Sequence, residues 1–189
     1  MGIAERKRRE RREREQRITA AARLIAASDG WDAVTVRRLA EEIEYSQPVL
    51  YSHFANRDAI VAAVAVEGFR DLAIALRKAA DGSIDGRDAS RNVAMAYLDF
   101  AGEQPALYEA MFALPIGLRF AEDDTKAELK DAFSALAAVV TPRAGDVETV
   151  TEALWAALHG LAELERSGRI RHGARETRVA LVINGLIRD

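Results

Sequence analysis

Apolar side chains recur at helical spacing along most of the 189-residue chain. Val36, Leu39, Ala40 and Ile43 stand at i, i+3, i+4 and i+7, which predicts a short helix with one buried face, opened by Thr35 as N-cap. Leu50 and Phe54 repeat that spacing on a second short helix. Ser46 is placed to cap it, and Pro48 falls in its first turn, where a missing N–H costs nothing. Thr35 to Phe54 therefore reads as a helix-turn-helix. Upstream, Ile18, Ala21, Ala22, Leu24 and Ile25 predict an amphipathic helix over Ile18–Ala27 that Gly30 ends, with Trp31 capping a small core at the turn. Downstream, Asn56 is placed to cap a long apolar-rich helix over Asp58–Ala80. Such a helix spans about 33 Å, enough to leave one module, enter another and link the two mechanically.

Asp81 to Gly86 breaks the pattern, and the rest of the chain is again helical. Val93, Tyr97, Phe100 and Ala101 line one helix ending before Pro105. Leu107, Tyr108, Met111 and Phe112 line a short one ending before Pro115, and Leu129, Ala132, Phe133, Leu136, Val139 and Val140 line another that Pro142 and Gly145 terminate. Val147–Ser167 carries Val150, Leu154, Leu158, Leu161 and Leu164; Thr177–Ile187 carries Val179, Val182, Ile183 and Leu186. The apolar faces of these last two helices are wide. A helix in a bundle buries one face, so the surplus predicts a second copy of the chain, docked through Leu154, Leu158, Leu161, Val182, Ile183 and Leu186. The fold class is all-α, a three-helix module over residues 1–57 followed by a larger helical domain over 58–189.

Net charge is −3, which alone argues against a polyanionic partner. Its distribution argues for one. Residues 1–57 hold 12 Lys and Arg against 9 Asp and Glu, whereas residues 58–189 hold 15 against 21, the asymmetry of a module that meets nucleic acid on an acidic body. Residues 5–17 hold eight basic and four acidic side chains and nothing apolar. They read either as a solvated helix extension laced with Glu/Arg pairs or as a flexible basic arm adding phosphate or minor-groove contacts. Cysteine is absent, which excludes disulfide and thiol chemistry. The three histidines lie far apart in sequence, so neither a metal site nor a cofactor is expected. No window approaches a membrane span, and the charged N-terminus lacks the apolar run of a signal peptide, so the expectation is a cytoplasmic protein without a membrane partner.

The outward positions of the second short helix, Gln47, Val49, Tyr51, Ser52 and His53, combine amide, apolar and hydroxyl groups suited to base edges and phosphates, with no acidic residue to repel them. Two other classes compete. A helical-bundle enzyme with a carboxylate-bridged metal pair would need Glu-x-x-His pairs on facing helices, and the chain has none; no phosphate-cradling Gly loop or Ser/His/Asp pattern stands out either, so an enzyme is not expected. An RNA-binding interaction module would rest on the basic arm, without the Gly-aromatic sheet motifs common among RNA binders.

Taken together, Gly30, Thr35-Val-Arg-Arg-Leu-Ala40, Ser46, Leu50-Tyr51, His53-Phe54 and Asn56-Arg57-Asp58 resemble the tetracycline-repressor family of transcriptional regulators. Gln47 to Tyr51 is similar to the recognition helix of the tetracycline repressors themselves, and Trp155-x3-His159-Gly160 resembles a motif of one C-terminal subgroup. The resemblance implies a homodimer with a DNA-binding module and a larger effector-binding and dimerisation domain. It implies a repressor released from a palindromic double-stranded operator by a small effector, which the scarcity of charged residues on the candidate helix faces favours as largely apolar. By position it implies that Arg37 reaches a guanine edge, that Gln47, Val49, Tyr51 and His53 make recognition-helix contacts, and that Thr35 and Arg57 contact phosphates, with Ser46 at the same surface. For the effector pocket the candidates are Tyr97, Phe100, Tyr108, Met111, Phe112, Trp155 and His159, with the Trp155 N–H or His159 reading a polar handle. Two positions depart from the family: Glu44 stands where the turn usually has Gly, and Tyr45 where it has a small aliphatic residue. Either the turn differs here or Glu44 bears a strained positive φ.

Overall fold

The charged run and the apolar pattern that follows it form one helix. In the computed structural model, which describes residues 2–114, 125–171 and 173–188, helix α1 runs Ile3–Asp29 without a break. Pairs at i,i+4 spacing, Arg6–Glu10, Arg9–Glu13 and Arg11–Glu15, accompany its solvated half, as the helix-extension reading expects. After it come a 3-10 turn at Trp31–Ala33, α2 (Val36–Glu42), α3 (Gln47–His53), α4 (Arg57–Asp81), α5 (Gly86–Glu103), α6 (Pro105–Phe112), α7 (Ala127–Ala137), α8 (Val147–Arg166) and α9 (Arg175–Leu186). Among the described residues the extended pairing is a single bridge, Pro142 with Ile187.

The chain divides into two compact units, Met1–Gly68 with Ala106–Arg119 and Phe69–Pro105 with Phe120–Asp189. The expected boundary at 57/58 marks the start of α4; the division by contacts falls inside that helix and adds the Ala106 segment to the first unit. In the first unit Ile18, Ala22, Ile25, Trp31, Val34, Leu39, Leu50 and Val61 are buried. Gly30 takes φ +81° to end α1, and Trp31 then turns inward, its Nε1 donating to the Ala106 carbonyl at 2.7 Å. Gly68 lets α6 come close, since a Cβ there would meet Met111 Sδ at 2.7 Å. Leu24, expected in this core, is 68% exposed: its neighbours on α1 occupy the buried face and it lies beside it.

In the second unit α5 packs against α8 and α9, and α7 against α8, around Val93, Tyr97, Leu98, Leu154, Leu158 and Val179. Asp146 caps α8 by accepting from the Thr149 amide at 2.9 Å, and Gly168 at φ +66° follows its end. The interface expectation needs correction here. Leu154, Leu158 and Ile183 are at most 3% exposed because they face α5 and each other's helices, so they belong to the protomer's own core. Leu161, Val182 and Leu186 are half-buried, while Leu164 and Leu181 are exposed on the outer faces of α8 and α9.

Candidate nucleic-acid interface and helical-body residues

The turn between α2 and α3 is built from main-chain bonds. The Tyr45 amide donates to the Ala40 carbonyl at 2.9 Å, six residues closing on one as at helix ends that exit through a left-handed residue. That residue is Glu44, at φ +56°. The left-handed turn is therefore made without a glycine, and Glu44 bears the strain. Tyr45 does something a small aliphatic residue could not: its hydroxyl accepts from Arg17 Nη1 at 2.9 Å, with that guanidinium 5.0 Å from the ring centroid, tying the turn to α1.

Thr35 caps α2, its side chain accepting from the Arg38 amide at 3.1 Å, and Asn56 Oδ1 accepts from the Ala59 amide at 2.8 Å at the head of α4. Ser46 stands at the N-cap of α3, but its side chain makes no capping bond. Its hydroxyl is exposed, as are Thr35, Arg37, Gln47 and Tyr51, with Val49 half-buried. Arg37 Nε donates to Glu41 Oε1 at 2.9 Å, and that carboxylate raises the guanidinium's pKa first by hydrogen bonding and then by charge. The pair is fully in solvent, where such contacts hold weakly and exchange easily.

Two of the expected DNA contacts point elsewhere. The His53 side chain is 6% exposed, with Nδ1 3.5 Å from Glu15 Oε1 of α1. It follows Leu50 by three residues and so shares the buried side of α3, with its ring turned toward α1. Arg57 is turned inward, Nε donating to the Val34 carbonyl at 2.8 Å and Nη2 to the Trp31 carbonyl at 2.6 Å, with Nη1 3.4 Å from Asp58. It clamps the 3-10 turn between α1 and α2, a role its isolated position in the sequence did not reveal.

The seven effector candidates divide between the units. In the second, Tyr97 and Phe100 are buried, and the half-buried Trp155 donates its Nε1 to the Tyr97 hydroxyl at 3.1 Å. That bond engages the indole N–H expected to read a ligand. His159 is half-buried, and burial holds its pKa below the ordinary value. In the first, Tyr108 and Met111 are buried, Tyr108 stacks at a tilt on Phe112 with centroids 4.7 Å apart, and Met111 fills the space that Gly68 leaves. Among the described residues no cluster of side chains could hold a metal ion, and no helix is long and apolar enough to cross a membrane.

Residues 18–64 match the family profile of bacterial regulatory proteins, tetR family, and residues 90–183 match that of the tetracyclin repressor-like C-terminal domain. The chain is 29% identical over 156 residues to the HTH-type transcriptional regulator Rv0681 of Mycobacterium tuberculosis, covering 80% of this chain and 69% of that protein. It is 36% identical over 95 residues to the HTH-type transcriptional regulator YobS of Bacillus subtilis, covering 49% of this chain and 48% of that one. The solved structure of a protein with unknown function from Rhodococcus sp. RHA1 shares the fold, with a TM-score of 0.75 at 24% identity over 92% of this chain and 95% of that one.

Proposed function

We propose, from the premise that the chain belongs to the tetR family of bacterial regulatory proteins, that this DNA-binding transcriptional regulator is a homodimeric repressor released from a palindromic operator by a small molecule. The observation that carries the reading is the exposure of Arg37 on α2, of Ser46 at the N-cap of α3, and of Gln47 and Tyr51 on α3. α3 carries no acidic residue. Arg37 offers a bidentate fork to guanine O6/N7, Gln47 an amide pair to adenine, and the Thr35, Ser46 and Tyr51 hydroxyls donors to phosphate. Val49 supplies apolar contact to a thymine methyl. Acting on DNA places the protein in the cytoplasm.

Dimerisation is supported by Leu181, 69% exposed on α9, and Leu164, 39% exposed on α8, flanked by the half-buried Leu161, Val182 and Leu186. Two copies related by a two-fold axis place their α3 helices in successive major grooves about 34–36 Å apart. An effector bound in the helical body acts through α4, which runs on from the first unit into the second. Release follows only if the effector prefers the conformation that no longer fits the operator.

The test is to recover the genomic fragments that the purified protein retains at physiological salt, then select binding sites with wild type and Arg37→Ala. The expected result is an inverted repeat, with preference at one base pair per half-site relaxed by about tenfold to a hundredfold in the variant. Retention of all fragments alike refutes the operator, and an unchanged preference refutes the role of Arg37.

A further inference from the structure

The second unit contains a cavity of about 560 Å³ where the C-terminal ends of α5 and α8 meet the start of α9, a volume suited to a small molecule. Its wall has two kinds of surface. Leu98, Pro105, Ala162 and Ile170 are apolar, while Arg166, Arg171, Arg175 and Arg178 bring four guanidinium groups against the one carboxylate of Glu165. None of the aromatic candidates named from the sequence lines it.

The bonding around Glu165 shows how this wall handles a carboxylate. Its side chain, 16% exposed, accepts from Arg175 Nε at 2.8 Å and from Arg178 Nη2 at 2.8 Å, with Arg175 Nη2 paired to it at 2.6 Å. Burial alone would raise the Glu165 pKa, but hydrogen bonds from Arg175 and Arg178, and their charges, bring it below the ordinary value. Arg175 is further engaged by Asp99 at 2.6 Å, and Arg166 by Glu163 at 2.8 Å. Set against Glu163, Glu165 and Asp99, the four guanidinium groups leave one positive charge in excess, and it falls on Arg171, while Arg178 shares Glu165 with Arg175. Arg178 Nη1 donates to the Arg171 carbonyl at 3.0 Å, and its Nε–H is buried with no acceptor, a costly state for a charged donor. The exposed Arg171 side chain has no acidic partner among the described residues.

We infer that this cavity takes a small organic carboxylate, its body against Leu98, Pro105, Ala162 and Ile170 and its oxygens against Arg171 and Arg178. Guanidinium forks match a planar carboxylate in two parallel bonds, and the apolar half of the wall selects an organic acid over a bare oxyanion. This names the effector class for the regulator proposed above and rests on that reading only for its consequence at DNA.

The experiment titrates DNA-free, full-length protein with 1-naphthoate and octanoate, beside the neutral 1-naphthamide and inorganic phosphate, by calorimetry and thermal shift. The expected result is saturable binding of a carboxylate, none of the amide, and affinity weakened about tenfold to a hundredfold in Arg171→Gln, since a charged hydrogen-bonding partner is lost. Arg171 is exposed, so the variant should melt with the wild type, and Arg171→Lys should recover part of the affinity. Absence of binding by both acids, equal binding of the amide, or undiminished binding by Arg171→Gln overturns the assignment. Phosphate binding as tightly as the acids overturns the choice of an organic carboxylate. Operator retention without ligand tests the regulator reading separately, and a carboxylate that binds yet leaves retention unchanged overturns the effector role alone.

Discussion

Arg57 separates two readings of the same residue with one pair of substitutions. Its family position implies a phosphate contact, whereas its geometry makes it a clamp on the Trp31 and Val34 carbonyls. A hydrogen bond from a charged donor nets about 1.5–3 kcal/mol. Arg57 makes two to main-chain carbonyls, and its side chain is 35% exposed, so screening brings the sum for Arg57→Ala to about 2–4 kcal/mol. For a chain of this size that lowers the melting temperature by about 5–15 °C. Arg57→Lys keeps the charge but cannot reach both carbonyls with a planar fork, so it should lose most of the same stability. Urea unfolding followed by tryptophan fluorescence reads the effect directly, because Trp31 sits in the clamped turn; protein concentration is held fixed so that any self-association contributes equally to each variant. The reasoning is refuted if Arg57→Ala unfolds within about 0.5 kcal/mol of wild type while losing affinity for all DNA sequences, with a shallower salt dependence that Arg57→Lys restores.

Three further outcomes follow from the geometry. Glu44→Gly removes a left-handed side chain worth about 1–2 kcal/mol of strain and adds unfolded-state freedom worth about 0.4–1 kcal/mol, so it should stabilise slightly in a thermal melt; a lower melting temperature contradicts the φ assignment. Leu154→Ala should cost about 2–5 kcal/mol of protomer stability, whereas Leu181→Asp should leave the protomer folded and weaken self-association in sedimentation, and the reverse pattern would return Leu154 to the interface. His159 is held below its ordinary 6.5 by burial, with the Glu163 charge opposing and the Arg166 charge assisting. The fold thus favours the neutral ring, and this contribution, present above 6.5, is lost as pH falls through the lowered folded value. His159→Gln should flatten the acid-side slope of urea midpoints, and an unchanged slope would place the titration elsewhere.

The helix-turn-helix was legible because its signals are local. Thr35 and Asn56 announce their helices through side-chain bonds three residues ahead, and the turn at Glu44 is closed by main-chain bonds that hardly depend on the residue occupying it. Spacing reported less well on direction. The polar character of His53 suggests an outward residue, but it stands three after Leu50, and that interval alone places it beside the buried leucine. On α8 the run Val150, Leu154 and Leu158 is one stripe, and α5 and α9 consume it within the protomer. The surface left outward is marked by the small and apolar residues Ala153, Ala156 and Leu164, which a search for the strongest apolar repeat passes over.

The arginine cavity shows the same limit from the charged side. Glu165 lies ten residues before Arg175 and thirteen before Arg178, separations that no single helix brings together. On their own helices these residues read as a solvated face. Their convergence depends on the chain reversing between α8 and α9, with Gly168 at φ +66° and Gly173 at φ +78° in the loop. A helical wheel ends where the helix ends, so it cannot register a site assembled across a reversal. A pairing of helix-end charges across glycine-bearing loops, applied alongside the apolar periodicity, would have raised Glu165, Arg175 and Arg178 as candidates before the aromatic residues, whose spacing marked the core of each unit.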